Sequence, residues 1–295
     1  MADSKRIYVL GSTGMLGRAF IKHFDKHHDL SLPGVDYPRV DVTDYYALVR
    51  DIRGFKADVI VNFAAVCDME KCEEDPGLAI KVHALGSANL ALIADSLNAE
   101  YMYISSACAF DGEKSAYWAH DKVNPISVYG KTKVFGEEIA HSIPRHYVVR
   151  TEWCFGGGPK HDTKFVGKLA RQIASGNTEI NAVRDKYGSL SYLPDFCKGV
   201  EKVLASREFG TYHITCEGSA SRYEVAQEFV RLLGVDVKVN PVDSSAFYGD
   251  YFAPRPVSER LVNSVIPGFS ARPWQECLAE YSKEFVEDSW TQSMI

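Results

Sequence analysis

The chain has 295 residues, 46% of them apolar and 24% charged, with a formal net charge of −6. That is the composition of a globular protein with a sizeable core, in one large domain or two lobes. The small acidic excess and the lack of any long Lys/Arg block exclude an extended electrostatic footprint for nucleic acid or an anionic membrane, and leave room for a small anionic ligand.

No uninterrupted run of about 18 apolar residues is present. The opening "MADSKRIYVL" passes from a polar lead straight into an apolar strand, unlike a signal peptide. A cytoplasmic location, with no nucleic-acid and no membrane partner, is expected. Seven cysteines, Cys67, Cys72, Cys108, Cys154, Cys197, Cys216 and Cys277, match no zinc-ligand spacing, so reduced and mostly buried thiols are expected and no metal. "HFDKHH" at 23–28 reads as a helix end in solvent.

In chain order, "RIYVLG" reads as a strand, Met15 to His28 as a helix, "ADVIVNFAA" as a strand and "DPGLAIKVHALGSANLALIADSLN" as a long helix. "EYMYISSA" is a strand, Val128 to Ile143 a helix and "RHYVVRT" a strand. The alternation predicts an α/β doubly wound fold, a Rossmann-like parallel sheet covered on both faces, and short apolar runs such as "VIVNF" suit strands buried on both sides. After Trp153 comes the glycine-rich "CFGGGPKHDTK", a helix from Phe165 to Ser175, the strand "GTYHIT" and a capped helix from Ser221 to Leu233. The final third is richer in Pro and aromatics. The expected organisation is a dinucleotide-binding domain over 1–153 with a returning segment around 183–216, and a smaller substrate-binding lobe from 154–182 and 217–295.

"VLGSTGMLG" places Gly11, Gly14 and Gly17 at the first strand-to-helix turn, where missing Cβ atoms permit a tight turn, close approach of a pyrophosphate and close helix packing. Strand before and helix after point to NADPH or NADH. Asp36, Arg39 and Arg18 could each lie near the adenosine ribose, which leaves NAD against NADP open. Asp41 and Val42 could border the adenine, and Thr43 or Asp44 could cap the next helix.

"NPISVYGKTK" sets Tyr129 and Lys133 four apart on one helix face. Ketone reduction needs a proton donor, and a tyrosine of pKa about 10 is a poor one at pH 7. Closing that gap of roughly 3 units takes about 4 kcal/mol, and a lysine ammonium about 4 Å away at an effective dielectric near 20 supplies a term of that size. Ser105 and Ser106 end the strand "YISSA" at the carboxyl edge of the sheet, where a hydroxyl can hold the carbonyl oxygen.

With these elements in order, the sequence resembles the extended short-chain dehydrogenase/reductases, and more closely the dTDP-4-dehydrorhamnose reductase family. "GSTGMLG", "VDVTD", "VNFAAVCDMEKCEEDP", "YISSACAFDG", "NPISVYGKTKVFGEE" and "VRTEWCFG" follow the family's order, as do "DKYGSLSY" and "APRPVSERLVN" in the second half. The resemblance implies Ser106 as the catalytic hydroxyl, Tyr129 as proton donor and Lys133 as the lysine of the cofactor ribose and the tyrosine. It implies a cofactor site including Gly11, Thr13, Gly14, Met15, Leu16, Gly17, Asp41, Val42, Ala64 and Ala65, with the two alanines backing the nicotinamide and Trp153 against the sugar. The implied reaction is hydride transfer from NADPH or NADH to C4 of a nucleotide-linked 4-keto-6-deoxy sugar. Homodimers are common among relatives of the fold.

Where the family usually reads S-T-D-Y-V-F-D-G, this chain reads Ser105-Ser106-Ala107-Cys108-Ala109-Phe110-Asp111-Gly112. An acidic and an aromatic contact beside the hydroxyl are gone, so a different sugar pocket is expected. The missing carboxylates argue against a 4,6-dehydratase. Ala119 stands where Glu is common and His83 where a helix Asn is common; His83 reads either as a proton relay or as a packed structural residue. The alternatives to the ketoreductase are a cofactor-binding regulatory subunit, as resemblance to the non-catalytic subunit of methionine adenosyltransferase allows, and a nucleotide-sugar epimerase.

Overall fold

A computed structural model describes residues 4–25, 27–31 and 40–287, and the structural statements below refer to these residues. The first half contains β1 (Arg6–Leu10), α1 (Met15–Phe24), β2 (Asp29–Ser31), α2 (Tyr45–Phe55), β3 (Val59–Asn62) and α3 (Met69–Glu74). Then α4 (Pro76–Ile80) runs through a π-helical turn, Lys81–Leu85, into α5 (Gly86–Ser96), followed by β4 (Glu100–Ser106), α6 (Val128–His141) and β5 (His146–Thr151). The second half contains β6 (Cys154–Phe155), α7 (Phe165–Ala174), β7 (Glu179–Val183), β8 (Tyr187–Gly188), β9 (Ser191–Tyr192), α8 (Leu193–Ser206) and β10 (Gly210–His213). It ends with β11 (Ala220–Ser221), α9 (Arg222–Leu233), β12 (Lys238–Val242), β13 (Ser258–Glu259) and α10 (Trp274–Glu287).

Six strands pair in parallel in the order β10-β5-β4-β3-β1-β2. The fold is α/β, as the alternating pattern predicts. Phe20 and Phe24 of α1 join Phe196, Val200 and Val203 of α8 on one face. Leu48 and Ile52 of α2, Leu90 and Ile93 of α5 and Ala140 of α6 cover the other. Each buried Leu, Ile or Phe contributes about 1.5–3 kcal/mol by leaving water. The helix Pro76–Ser96 is long and apolar enough to cross a bilayer, but half of its apolar window is buried inside the protein.

A third core joins Phe155, Leu169, Tyr192, Phe229, Tyr281 and Phe285 between α7, α9 and α10. Around it lie the pairs β12-β7 and β6-β9 and the three-stranded sheet β11-β8-β13. The stretch that returns to the large sheet is α8 and β10, whereas β8 pairs with β11 and β13. Strands of two residues carry no readable periodicity, which is why the sequence did not announce them.

Of the two candidate caps, Asp44 is the one that starts α2, accepting from the Ala47 N–H at 3.0 Å. Helix α1 stops at Phe24, and His23 is not left to solvent: its Nε2 lies 2.8 Å from Glu201, tying α1 to α8. Ser221 and Glu224 form a reciprocal capping box at α9. All seven thiols are free, with five buried, Cys154 half-buried and Cys67 exposed.

Burial pushes both His83 and His213 down to about 3. His213 Nε2 faces the Arg150 guanidinium at 3.3 Å and Nδ1 lies 3.2 Å from the Val262 carbonyl, so the ring is neutral with its proton on Nδ1. Each histidine takes up a proton near pH 6.5 when unfolded and only near pH 3 when folded. Their contribution to stability is therefore complete above about pH 6.5 and lost as the pH falls toward 3, at about 1.4 kcal/mol per pH unit per histidine. The melting temperature should decline across that window, and His213→Gln should reduce the slope; a profile that is flat down to pH 4 would contradict it.

Candidate active site

The loop after β1 is built for close approach. Gly11 has φ +74°, and a Cβ there would sit 2.6 Å from the Phe63 carbonyl carbon and 2.8 Å from the Ala64 nitrogen; one on Gly17 would strike the Gly11 carbonyl. Gly14 begins α1 with no side-chain cap, and no acidic residue stands in the first turn. The caps of α2, α3, α4, α6 and α9 all carry an accepting side chain. Uncapped amides at the positive end of α1, beside a glycine surface, fit the pyrophosphate of a dinucleotide. Met15 is buried and packs against Gly157 of the glycine-rich connection, Leu16 lies on the α1/α8 core, and Thr13 is exposed with its carbonyl accepting from Arg18 Nε at 2.8 Å.

Asp41 Oδ1 accepts from both the amide and the hydroxyl of Thr43 at 2.8 Å, and the Val42 carbonyl accepts from Asn89 at 3.0 Å. This fixes the start of α2 against α5. Asp36 and Arg39 lie outside the described residues. Ala64 follows β3 next to Gly11, its amide donating to Asn62 at 3.0 Å, and Ala65 follows it, half-buried.

Ser106 ends β4 and caps a short 3-10 turn over Ala107–Ala109, its Oγ accepting from the Cys108 amide at 3.2 Å. Tyr129 stands in the first turn of α6, half-buried, with Ser106 near enough to act on its phenol. Gly130 makes this approach possible, because any Cβ there would collide with the Cys108 carbonyl. Burial chiefly, then the Cys67 and Cys108 thiols, push the Tyr129 phenol well up, while the Ser106 hydroxyl pulls it down. The phenol is thus firmly protonated at neutral pH.

Lys133 departs from the sequence expectation. Its ammonium is buried, donates to the Ile104 carbonyl at 2.6 Å and lies 4.1 Å from the centre of the Tyr103 ring, rather than pairing with the phenol. A buried cation must find acceptors, and β4 offers them. Burial lowers it to about 8, so it carries its charge at neutral pH.

Spacing continues the face one turn further, to Glu137. That carboxylate takes a bidentate pair from Arg150 of β5 (2.9 and 2.6 Å) and a 2.5 Å hydrogen bond from Ser105. The Ala119 carbonyl accepts from Arg150 at 3.2 Å, so this position serves through its backbone. The i, i+4, i+8 series Tyr129, Lys133, Glu137 was the available signal for this group, which sequence reasoning passed over.

His83 is a packing residue. Its Nε2 accepts from the Val66 amide at 3.0 Å, which leaves the proton on Nδ1 to donate to Thr132 Oγ1 at 2.8 Å. Both nitrogens are occupied and none remains for a relay. Trp153 holds a left-handed φ of +34° and donates from Nε1 to Glu259 at 3.0 Å; the Arg222 guanidinium stacks on it at 4.3 Å.

The class this fold and motif order define is the extended short-chain dehydrogenase/reductases, and the chain is an oxidoreductase. It belongs to the family described as RmlD substrate binding domain, whose model matches residues 5–287. The dTDP-4-dehydrorhamnose reductase of Mycolicibacterium smegmatis is 31% identical over 287 residues, covering 94% of this chain and 85% of that protein. A crystal structure of a dTDP-4-dehydrorhamnose reductase from Clostridium acetobutylicum superposes with a TM-score of 0.87 at 36% identity, over 94% of this chain and 98% of the other. The enzyme of that name from Bacillus anthracis, solved in complex with NADP, gives 0.88 at 26% identity, over 96% and 99%.

Two substitutions test this architecture. Glu137→Gln leaves the Arg150 charge buried and uncompensated and should cost about 3–5 kcal/mol in denaturant unfolding. Gly130→Ala should displace the first turn of α6 from Cys108 and lower turnover about 100-fold with only a modest change in melting temperature; unaltered kinetics would show that the close approach is not needed.

Proposed function

We propose that this chain reduces the C4 keto group of a nucleotide-linked 4-keto-6-deoxy sugar with NADPH or NADH, through Ser106, Tyr129 and Lys133. The observation that carries the reading is the grouping at the end of β4: the Cys108 amide donates to Ser106 Oγ, and the Ser106 hydroxyl lies near enough to the Tyr129 phenol to pull its pKa down.

The glycine loop and the uncapped start of α1 would hold the pyrophosphate, Lys133 the nicotinamide ribose, and Ala64 and Ala65 would back the nicotinamide. The cofactor, when bound, supplies the hydride. Ser106 orients the carbonyl, and Tyr129, kept protonated by burial, delivers its proton to the developing alkoxide. The phenolate that results is held by the Ser106 hydroxyl and lies in the field of the Lys133 ammonium.

Cations near the candidate sugar site support a nucleoside diphosphate as the other half of the substrate. Arg222 stacks on Trp153 and on Phe165 (4.3 and 5.0 Å), and Arg255 and Lys168 lie over the Tyr251 ring (5.3 and 5.9 Å). Arg255 also pairs with Glu70 at 2.8 Å, fastening the 243–257 segment to α3.

The reading is tested by following reduced nicotinamide absorbance with dTDP-linked 4-keto-6-deoxy sugars. Tyr129→Phe should lose at least about 100-fold in kcat and Ser106→Ala a comparable factor. Lys133 is charged below its value of about 8 and neutral above it, so activity should fall as the pH rises through that value. Full activity in Tyr129→Phe would overturn the mechanism.

A further inference from the structure

The loss of an acidic and an aromatic residue at Ala107-Cys108 does not leave the pocket without carboxyls. Strand β13 pairs with β8 so that Glu259 lies opposite Gly188, and β11 pairs with β8 so that Ala220 lies opposite the same glycine, with Arg222 two residues on. Gly188 has no Cβ to fill the space it faces. The Glu152 carboxyl and the Trp153 ring occupy it, the ring 2.8 Å from where a Cβ would stand.

Glu259 is held on both oxygens, by Cys108 Sγ at 3.1 Å and Trp153 Nε1 at 3.0 Å. Through Cys108, whose amide donates to Ser106, this corner is one residue from the proposed reaction centre. Glu152 is different. It is 6% exposed, and neither of its carboxyl oxygens has a well-formed hydrogen bond, the Ser189 backbone being near enough only to lower its proton affinity. Burying an unmatched carboxyl is costly. Among the described residues Arg222 makes no ion pair with either glutamate and stacks on Trp153; its charge acts on Glu152 through space, behind the larger effects of burial and Glu259. A polar group kept unmatched beside a reaction centre finds its partner in the ligand.

We propose that Glu152 and Glu259 form an acidic corner of the sugar site that binds a protonated amino substituent, making a nucleotide-linked amino-deoxy 4-keto sugar the preferred substrate. This rests on the ketoreductase reading above. An ammonium offers three donors and the charge that two neighbouring carboxyls need; a hydroxyl offers one donor and no charge. Burial first, then the nearby Glu259, push the Glu152 carboxyl well up, against the pull of the Ser189 backbone and Arg222. Arg222 in turn faces Glu259, Arg255, Glu152 and Tyr251. Without ligand Glu152 is therefore held toward its protonated form, and the arriving ammonium drives that proton off.

The test is calorimetry on the full chain with NADPH, titrating a dTDP-linked 6-deoxyhexose and its counterpart bearing an amino group at C2 or C3. The amino sugar should bind at least about tenfold tighter and release a proton, read from the dependence of the heat on buffer ionisation. E152Q and E259Q should each bring the affinity ratio toward one, with thermal melting to check folding. Because proton release is measured on the unaltered chain, the proposal stands or falls even where a variant fails to fold. Equal affinities in the unaltered chain, or binding without proton release, would overturn it. If the neutral and amino 4-keto sugars are reduced equally well, the corner is wrong and the ketoreductase reading survives. Preferential binding of the amino sugar without NADPH oxidation on its 4-keto form would retain the corner and remove the reading.

Discussion

The buried pair of Glu137 and Arg150 is the constraint on which the arrangement of α6 depends. Such a pair contributes little net stability by itself, because desolvation offsets most of the attraction. Its consequence is geometric. With Ser105 donating to the same carboxylate, α6 has one rotation and one depth against β4 and β5, and that setting carries Tyr129 and Lys133 with it. Gly130 then decides how closely the first turn approaches the end of β4.

Around this fixed helix, burial does more to set the chemistry than any single charge. Tyr129 is raised and Lys133 lowered chiefly by desolvation, so the phenol keeps its proton and the lysine sits within reach of losing its own. The sequence argument set an ammonium about 4 Å from the phenol; in the structure Lys133 turns to the Ile104 carbonyl, and Ser106 is the side chain that lowers the Tyr129 pKa. Helix spacing reports which side chains share a face; it does not report where a long, flexible one ends.

The six-stranded half of the molecule was readable because its strands are continuous apolar runs and its main helices are long and periodic. "GSTGMLG" between a strand and a helix and Tyr129-x-x-x-Lys133 after a proline turn carried their meaning in local order. The second half was not readable in the same way. Its strands β8, β11 and β13 supply two residues each, and their pairing depends on contacts between residues far apart in the chain. Glu152 and Glu259 are separated by more than a hundred positions, so neither could be read as the other's neighbour. His83, left between relay and packing, was decided by two bonds, to Val66 and Thr132, that no pattern in the sequence encodes.

That small three-stranded sheet takes no part in the large one. A substitution in β8 or β11 reshapes the wall beside Trp153 without altering the strand pairing of β4, whereas Glu259 of β13 also reaches Cys108 beyond the end of β4. With the sugar placed against Trp153 as proposed, what is selected for reaction and what is done to it fall largely in separable parts of one chain, and lineages sharing this scaffold are free to exchange one sugar for another without reinventing the reduction.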